Sequence, residues 1–171
     1  LWDNPAAKNA FIKAAEIAKN AGRKVALSLS DSFCVNRHRE SFIKLVEDHI
    51  DILFANEDEI KALYKTSSLN AAIEELKKTC DLAAITIGKK GSILISSGKE
   101  INIDPFIFGK AIDTTGAGDL YAGGFLKGLA DGLKPEISAR IGSICAGHIV
   151  TQLGSRSNTD LLNLISSHLE S

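Results

Sequence analysis

The chain has 171 residues, 44% of them hydrophobic and 24% charged, with only three prolines; this suits one globular domain with a single core and excludes a disordered tail. Twenty basic residues stand against twenty-one acidic ones for a formal charge of -1, and without a block of like charge a surface that grips nucleic acid has no support. No apolar run approaches the roughly 18 residues of a membrane span, and the N-terminus lacks a basic-then-apolar signal pattern, so no membrane partner is expected and the expected location is cytoplasmic.

Cys34, Cys80 and Cys145 form no C-x-x-C pair and read as reduced, mostly buried thiols. The chain starts at Leu1 and has no methionine, which suggests a fragment of something longer. Asp3, Asn4 and Pro5 predict a helix start, and Ala7, Ala10, Phe11, Ala14 and Ala18 keep helical spacing up to Gly22. Val25 to Leu29 predicts a strand, and Asn36 opens an amphipathic helix carrying Phe42, Leu45 and Val46. Asp51 to Ala55 reads as a second strand, followed by a helix from Glu57 to about Tyr64 and another capped by Ser67 or Ser68. Leu82 to Ile87 is the next strand; Gly88 and Gly91 bracket a turn into Ser92 to Ser96, and Ser97-Gly98 turns into Glu100 to Asp104. Beyond an irregular stretch from Pro105 to Ala111 come helices over Leu120 to Ala130 and Ile137 to Val150, then a short amphipathic helix from Thr159 to Leu169. Strands alternating with helices predict a mostly parallel sheet covered on both faces, with an antiparallel hairpin at one edge. The expected fold class is a three-layer α/β/α domain over residues 1–171.

The most informative stretch is Asp113-Thr114-Thr115-Gly116-Ala117-Gly118-Asp119, a loop entering a long apolar helix. Glycines let successive backbone N–H groups converge, and a helix N-terminus adds open donors and a positive dipole end, which suits a phosphate. Asp119 follows directly, where a carboxylate can take the proton of a hydroxyl held beside that phosphate. A bare G-x-G followed by Asp is more often a tight turn with a dipole-complementing acid. Six fixed positions at a background of about 7% each make the whole string rare, on the order of 10⁻⁷ per starting position.

Asp113 to Leu126, DTTGAGDLYAGGFL, resembles the C-terminal signature of the ribokinase-like, or PfkB, family of carbohydrate and nucleoside kinases. Asn56-Glu57-Asp58-Glu59 resembles its N-x-x-E motif, and Thr86-Ile87-Gly88-Lys89-Lys90-Gly91 its T-x-G-x-x-G segment, in the same order over nearly the whole chain. Leu27 to Cys34 (LSLSDSFC) and Leu53 to Glu57 (LFANE) look more like the adenosine-kinase branch than like ribokinase.

The resemblance implies transfer of the γ-phosphoryl group of ATP to a primary hydroxyl, with Asp119 as base and Gly116, Ala117 and Gly118 as the anion hole. Spacing alone makes Asn56 and Glu59 a capping box; the resemblance places Asn56 among the cofactor-binding residues and gives Glu59 the further task of organising Mg²⁺ through water. It also makes Thr86, Gly88 and Gly91 nucleotide neighbours, although a hairpin turn explains the glycines equally. Ser143, Ala146 and Gly147 fall where the family closes around adenine, and small residues there also allow close helix packing. A monovalent cation, K⁺ in the family, would enlist Asp113 and the Thr115 carbonyl beside the loop near Gly154. His148, Trp2, Tyr64 and Tyr121 read as packing residues, and Arg37, His38 and Arg39 as a solvated basic cluster.

The resulting expectation is the C-terminal half of an ATP-dependent kinase acting on a nucleoside (adenosine-like) or a sugar such as ribose or fructose. In the family the N-terminal half builds most of the acceptor pocket and a small β-sheet lid; neither is supplied here, so this chain alone is expected to be inactive. The rivals are a non-catalytic nucleotide-binding module of the same fold and a hydroxymethylpyrimidine or pyridoxal kinase. A homodimer is left open.

Overall fold

The computed structural model describes residues 2–169. Five strands, β1 (Ala26–Ser28), β2 (Ile52–Asn56), β3 (Leu82–Thr86), β4 (Ser92–Ser96) and β5 (Lys99–Ile103), form one sheet in the order β1-β2-β3-β4-β5. β1 and β2 pair in parallel with Ala26 opposite Ile52, which demands the crossover that the intervening helices supply. β2, β3 and β4 each bury four successive residues, the pattern of strands covered on both faces. β5 is an edge strand, begins with Lys99 and Glu100, and buries only Ile103; charge on an edge discourages pairing with another chain. Strand and helix alternate as the sequence implied, giving an α/β fold with a mixed sheet.

The chain forms two compact units. The first comprises residues up to 85 together with 95–99. Its helix α1 (Pro5–Asn20) starts at Asn4, whose Oδ1 accepts the Ala6 N–H at 2.9 Å, with Pro5 in the first turn where no N–H is needed. Trp2 is buried against Phe42 and Phe11, with ring centroids at 4.9 and 5.6 Å, so it is a packing residue. Asn36 does not open a helix: it lies inside α2 (Ser32–Arg37), and α3 (Arg39–His49) follows after a break at His38. The start signal is Asp31, whose Oδ1 takes the Phe33 N–H at 2.9 Å. The basic cluster is partnered as well, since Arg37 and His38 reach Asp3 at 3.0 and 2.6 Å. α4 (Glu57–Leu63) and α5 (Leu69–Leu76) follow, the latter capped by Ser68.

The second unit comprises residues 86–94 and 100 onward. A 3₁₀ turn over Gly88–Lys90 leads into β4, and α6 (Ala117–Ala130), α7 (Pro135–Ile149) and α8 (Leu161–Leu169) complete it. α6 and α7 make the most extensive helix pairing among the described residues. A Cβ at Gly128 would stand 2.9 Å from Ser138 Cα, and one at Gly142 would stand 2.7 Å from the Tyr121 carbonyl oxygen. Backbone of the facing helix therefore leaves no room for a side chain at either glycine, and Ser138 Oγ and the Tyr121 ring close the remaining space. Cys80 and Cys145 are buried, Cys34 is half-buried, and all three are free. No helix of the described residues is long and apolar enough to cross a membrane.

The α6 glycines separate two effects. Gly123 has no atom within 4 Å of the place its Cβ would take, so Gly123→Ala is expected to raise unfolding free energy by about 0.5–1 kcal/mol through helix propensity. Gly128→Ala gains the same propensity but forces α7 outward, and is expected to cost about 1–3 kcal/mol net. Denaturant unfolding of both variants checks the pair; equal shifts would contradict a backbone contact at Gly128.

Candidate functional site

The glycine-rich string is the mouth of α6. Gly116 is the N-cap, with φ +78°, a left-handed conformation that a side chain would strain. A Cβ there would also stand 2.5 Å from Ser155 Cβ, so this position is fixed by its own backbone and neighbour. The Ala117 N–H closes a turn onto the Thr114 carbonyl at 3.2 Å, and the Leu120 N–H begins the helical ladder on the Gly116 carbonyl at 2.9 Å. Among the described residues, the N–H groups of Gly116, Gly118 and Asp119 have no protein partner. These, rather than the Ala117 amide, are the donors the helix leaves open. Gly118 is exposed, with nothing within 4 Å of a would-be Cβ.

Asp119 is the third residue of α6 and is exposed. Among the described residues its carboxylate takes no hydrogen bond or ion pair. Asp113 is engaged throughout: Oδ1 accepts the Thr115 N–H and Oδ2 the Gly154 N–H, both at 2.9 Å. The Gly154 N–H, then the Thr115 bonds, hold the Asp113 carboxyl below the ordinary Asp range. Together with the Ile112 N–H on the Val150 carbonyl at 2.7 Å, this fastens the segment after α7 to the loop before α6, with Asp113 bonded to the Gly154 loop.

A cavity of about 480 Å³ opens beside the α6 mouth, within the volume range of small-molecule sites. Thr86, Gly88 and Gly91 line it from the 3₁₀ turn, Ser143, Ala146 and Gly147 from α7, and Thr114, Ala117 and Gly118 from the loop. Three stretches picked out separately in the sequence thus share one cavity. Ser143 has a defined task there. Its Oγ accepts the Phe106 N–H at 3.0 Å and donates to the Asp104 carbonyl at 2.9 Å. A Cβ at Gly147 would stand 2.0 Å from the Phe106 carbonyl oxygen. Both residues dock the irregular segment 104–109 on α7, and that segment supplies Pro105, Phe106, Ile107 and Gly109 to the cavity wall.

Sequence reasoning missed this wall. Its signal was apolar residues, Phe106, Ile107 and Phe108, in a stretch with no periodicity between Pro105 and Gly109. Tyr121, read as packing, is buried and also lines the cavity; its hydroxyl lies 2.8 Å from Ser92 Oγ, and burial pushes its pKa up to about 12. His148 is a packed side chain, with Nε2 3.2 Å from Ser157 Oγ.

Asn56 and Glu59 belong to the first unit and form the capping box of α4. Asn56 Oδ1 accepts the Glu59 N–H at 2.9 Å; Glu59 Oε2 accepts the Asn56 N–H at 2.9 Å and Oε1 the Asn56 Nδ2 at 2.8 Å. Glu59 is only 6% exposed, and burial pushes its carboxyl above the ordinary Glu range.

Known proteins share this architecture. The adenosine kinase of Sinorhizobium meliloti superposes with a TM-score of 0.93 at 40% identity, covering 98% of this chain and 51% of that one. The ribokinase of Arabidopsis thaliana, solved in complex with ribose and ATP, superposes at 0.76 with 26% identity, covering 92% of this chain and 52% of that one. A nucleoside kinase of Methanocaldococcus jannaschii is 32% identical over 132 residues, 77% of this chain and 43% of that protein. The chain therefore spans about half the length of these relatives, and its fold is ribokinase-like. A model of the pfkB family of carbohydrate kinases matches residues 3–161, and the chain belongs to that family.

Proposed function

We propose that residues 1–171 form the nucleotide-binding and base-bearing part of an ATP-dependent phosphotransferase acting on a primary hydroxyl. The observation that carries this reading is the pairing at the α6 mouth of three open amides with an unpartnered carboxylate, next to a cavity of nucleotide size. Asp119 takes the proton of the acceptor hydroxyl, the oxygen attacks the γ-phosphorus, and the bond to the β–γ bridging oxygen breaks to release ADP. The amides of Gly116, Gly118 and Asp119 face the charge that spreads over the transferred group and need no rearrangement to do so. The ATP in the Arabidopsis ribokinase structure supports the choice of donor. A binding module has no use for an unpaired base, and the free Asp119 favours turnover.

The acceptor is a nucleoside of the adenosine type, supported by the LSLSDSFC and LFANE segments and by 40% identity to an adenosine kinase. Residues outside this chain supply most of its pocket, so the chain by itself is inactive. Magnesium neutralises phosphate charge when bound. Glu59 suits it only through water, because each oxygen already accepts one bond from Asn56 and keeps a lone pair. For a monovalent cation, the Asp113 carboxylate and Thr115 carbonyl offer the oxygen donors that a hard ion takes.

Three measurements on the intact enzyme test these roles. Asp119→Asn is expected to fold normally and to lower kcat about 10²- to 10⁴-fold; near-normal kcat would remove the base. Glu59→Gln should shift the Mg²⁺ concentration needed for half-maximal rate, and an unchanged Mg²⁺ dependence would leave Glu59 only its cap. Activity should be higher in potassium than in a bulky organic cation at equal ionic strength; equal rates reject the cation site.

A further inference from the structure

The 104–109 segment forms one wall of the cavity, yet its backbone is tied down only at its start. Ser143 fixes Asp104 and Phe106, and the next backbone anchor is the Ile112 N–H on the Val150 carbonyl. Between them, no N–H from Ile107 to Ala111 finds a protein acceptor among the described residues. Gly109 meets nothing closer than the Thr151 methyl, 3.9 Å from its would-be Cβ. The stretch that lines the cavity is therefore placed by side chains.

Those side chains lean on histidines. Phe106 and Phe108 lie with ring centroids 5.5 Å apart, and the His168 ring meets both edge-on, at 5.4 and 5.0 Å with interplanar angles of 88° and 70°. His148 of α7 meets Phe108 edge-on at 5.9 Å. His168 is held in turn: its Nδ1 lies 2.8 Å from the Leu164 carbonyl oxygen one turn back along α8, and 2.9 Å from Ser167 Oγ. Ile107, between the two phenylalanines, is 76% exposed while it lines the cavity. Phe106 and Ile107 both line the cavity, and the ring contacts of Phe106 and Phe108 with His168 and of Phe108 with His148 set the backbone on either side of Ile107.

We infer that α8 is part of the donor site: His168 is a positioning residue that, through Phe106 and Phe108, sets where Ile107 stands against the nucleotide base. This rests on the donor-cavity reading above. The base is flat and apolar on its faces, so its affinity follows the placement of that wall, whereas the transferred phosphate is handled at the α6 mouth. His168 therefore acts on nucleotide binding and leaves the chemical step alone.

The test is steady-state kinetics of the intact enzyme with ATP varied at saturating acceptor. His168→Ala is expected to raise KM for ATP by roughly 2- to 10-fold, the factor that corresponds to a lost aromatic edge contact, with kcat and the acceptor KM unchanged. His168→Phe, which keeps a ring at that place, should restore KM, and Ile107→Ala should raise it as the histidine deletion does. An unchanged KM in His168→Ala, a fall in kcat instead, or a His168→Phe enzyme no better than His168→Ala overturns the inference and leaves the donor site standing. A wild-type enzyme that neither binds ATP nor turns it over overturns both.

Discussion

The contact between α6 and α7 is the constraint from which the rest of the second unit follows. At Gly124, Gly128 and Gly142 each would-be Cβ lies 2.7–3.0 Å from a backbone atom of the facing helix, so the spacing of the two axes is set by backbone. Side chains adapt by rotamer; backbone does not. The N-terminus of α6 is the amide mouth, and the middle of α7 carries Ser143, Ala146 and Gly147 on the cavity wall. Backbone packing thus fixes the distance between the α6 mouth and the cavity wall on α7.

Around this frame the polar groups divide into two sets. Buried groups are matched within the chain: Ser143 to Asp104 and Phe106, Tyr121 to Ser92, Glu59 to Asn56. A buried polar group without a partner costs about 1–3 kcal/mol, so these pairs hold structure. The second set, the Asp119 carboxylate and the open amides, sits where water reaches it and costs little while it waits. Asp113 stands between the sets, since it is half-buried and doubly bonded to main-chain N–H groups 41 and two residues away. Its charge stiffens the loop that presents the free donors.

Much of this was legible in the sequence because it rested on local rules. Asn4, Ser68 and the Asn56–Glu59 pair announced their helices through capping chemistry, and the strands through short apolar runs. The glycine string marked the α6 mouth because few other sequences combine a left-handed residue, open amides and an acid in that order. What stayed hidden was nonlocal or aperiodic. Asn36 looked like a helix start, but Asp31 begins α2 and His38 interrupts the run, a choice made by which side chain caps first. The 104–109 wall has no periodicity, and its role depends on Ser143 and Gly147, about forty residues on. Ser143 lines the cavity, but what its hydroxyl bonds to is a matter of tertiary contact and not of sequence.

The glycines of the signature also differ in what requires them. Gly116 needs its left-handed φ and its approach to Ser155, so the chain itself forbids a side chain there. Gly118 is another matter: it lies in a helical first turn, where glycine costs roughly 1 kcal/mol relative to alanine, and beyond its own turn no atom of the described residues lies within 4 Å of its missing Cβ. Nothing inside the protein rewards that sacrifice. Gly118 does, however, line the cavity and carry one of the open amides. Under the proposed function, a Cβ at that point would take up part of the open space through which an anion approaches the α6 amides, which gives the glycine a use that the chain's own packing does not.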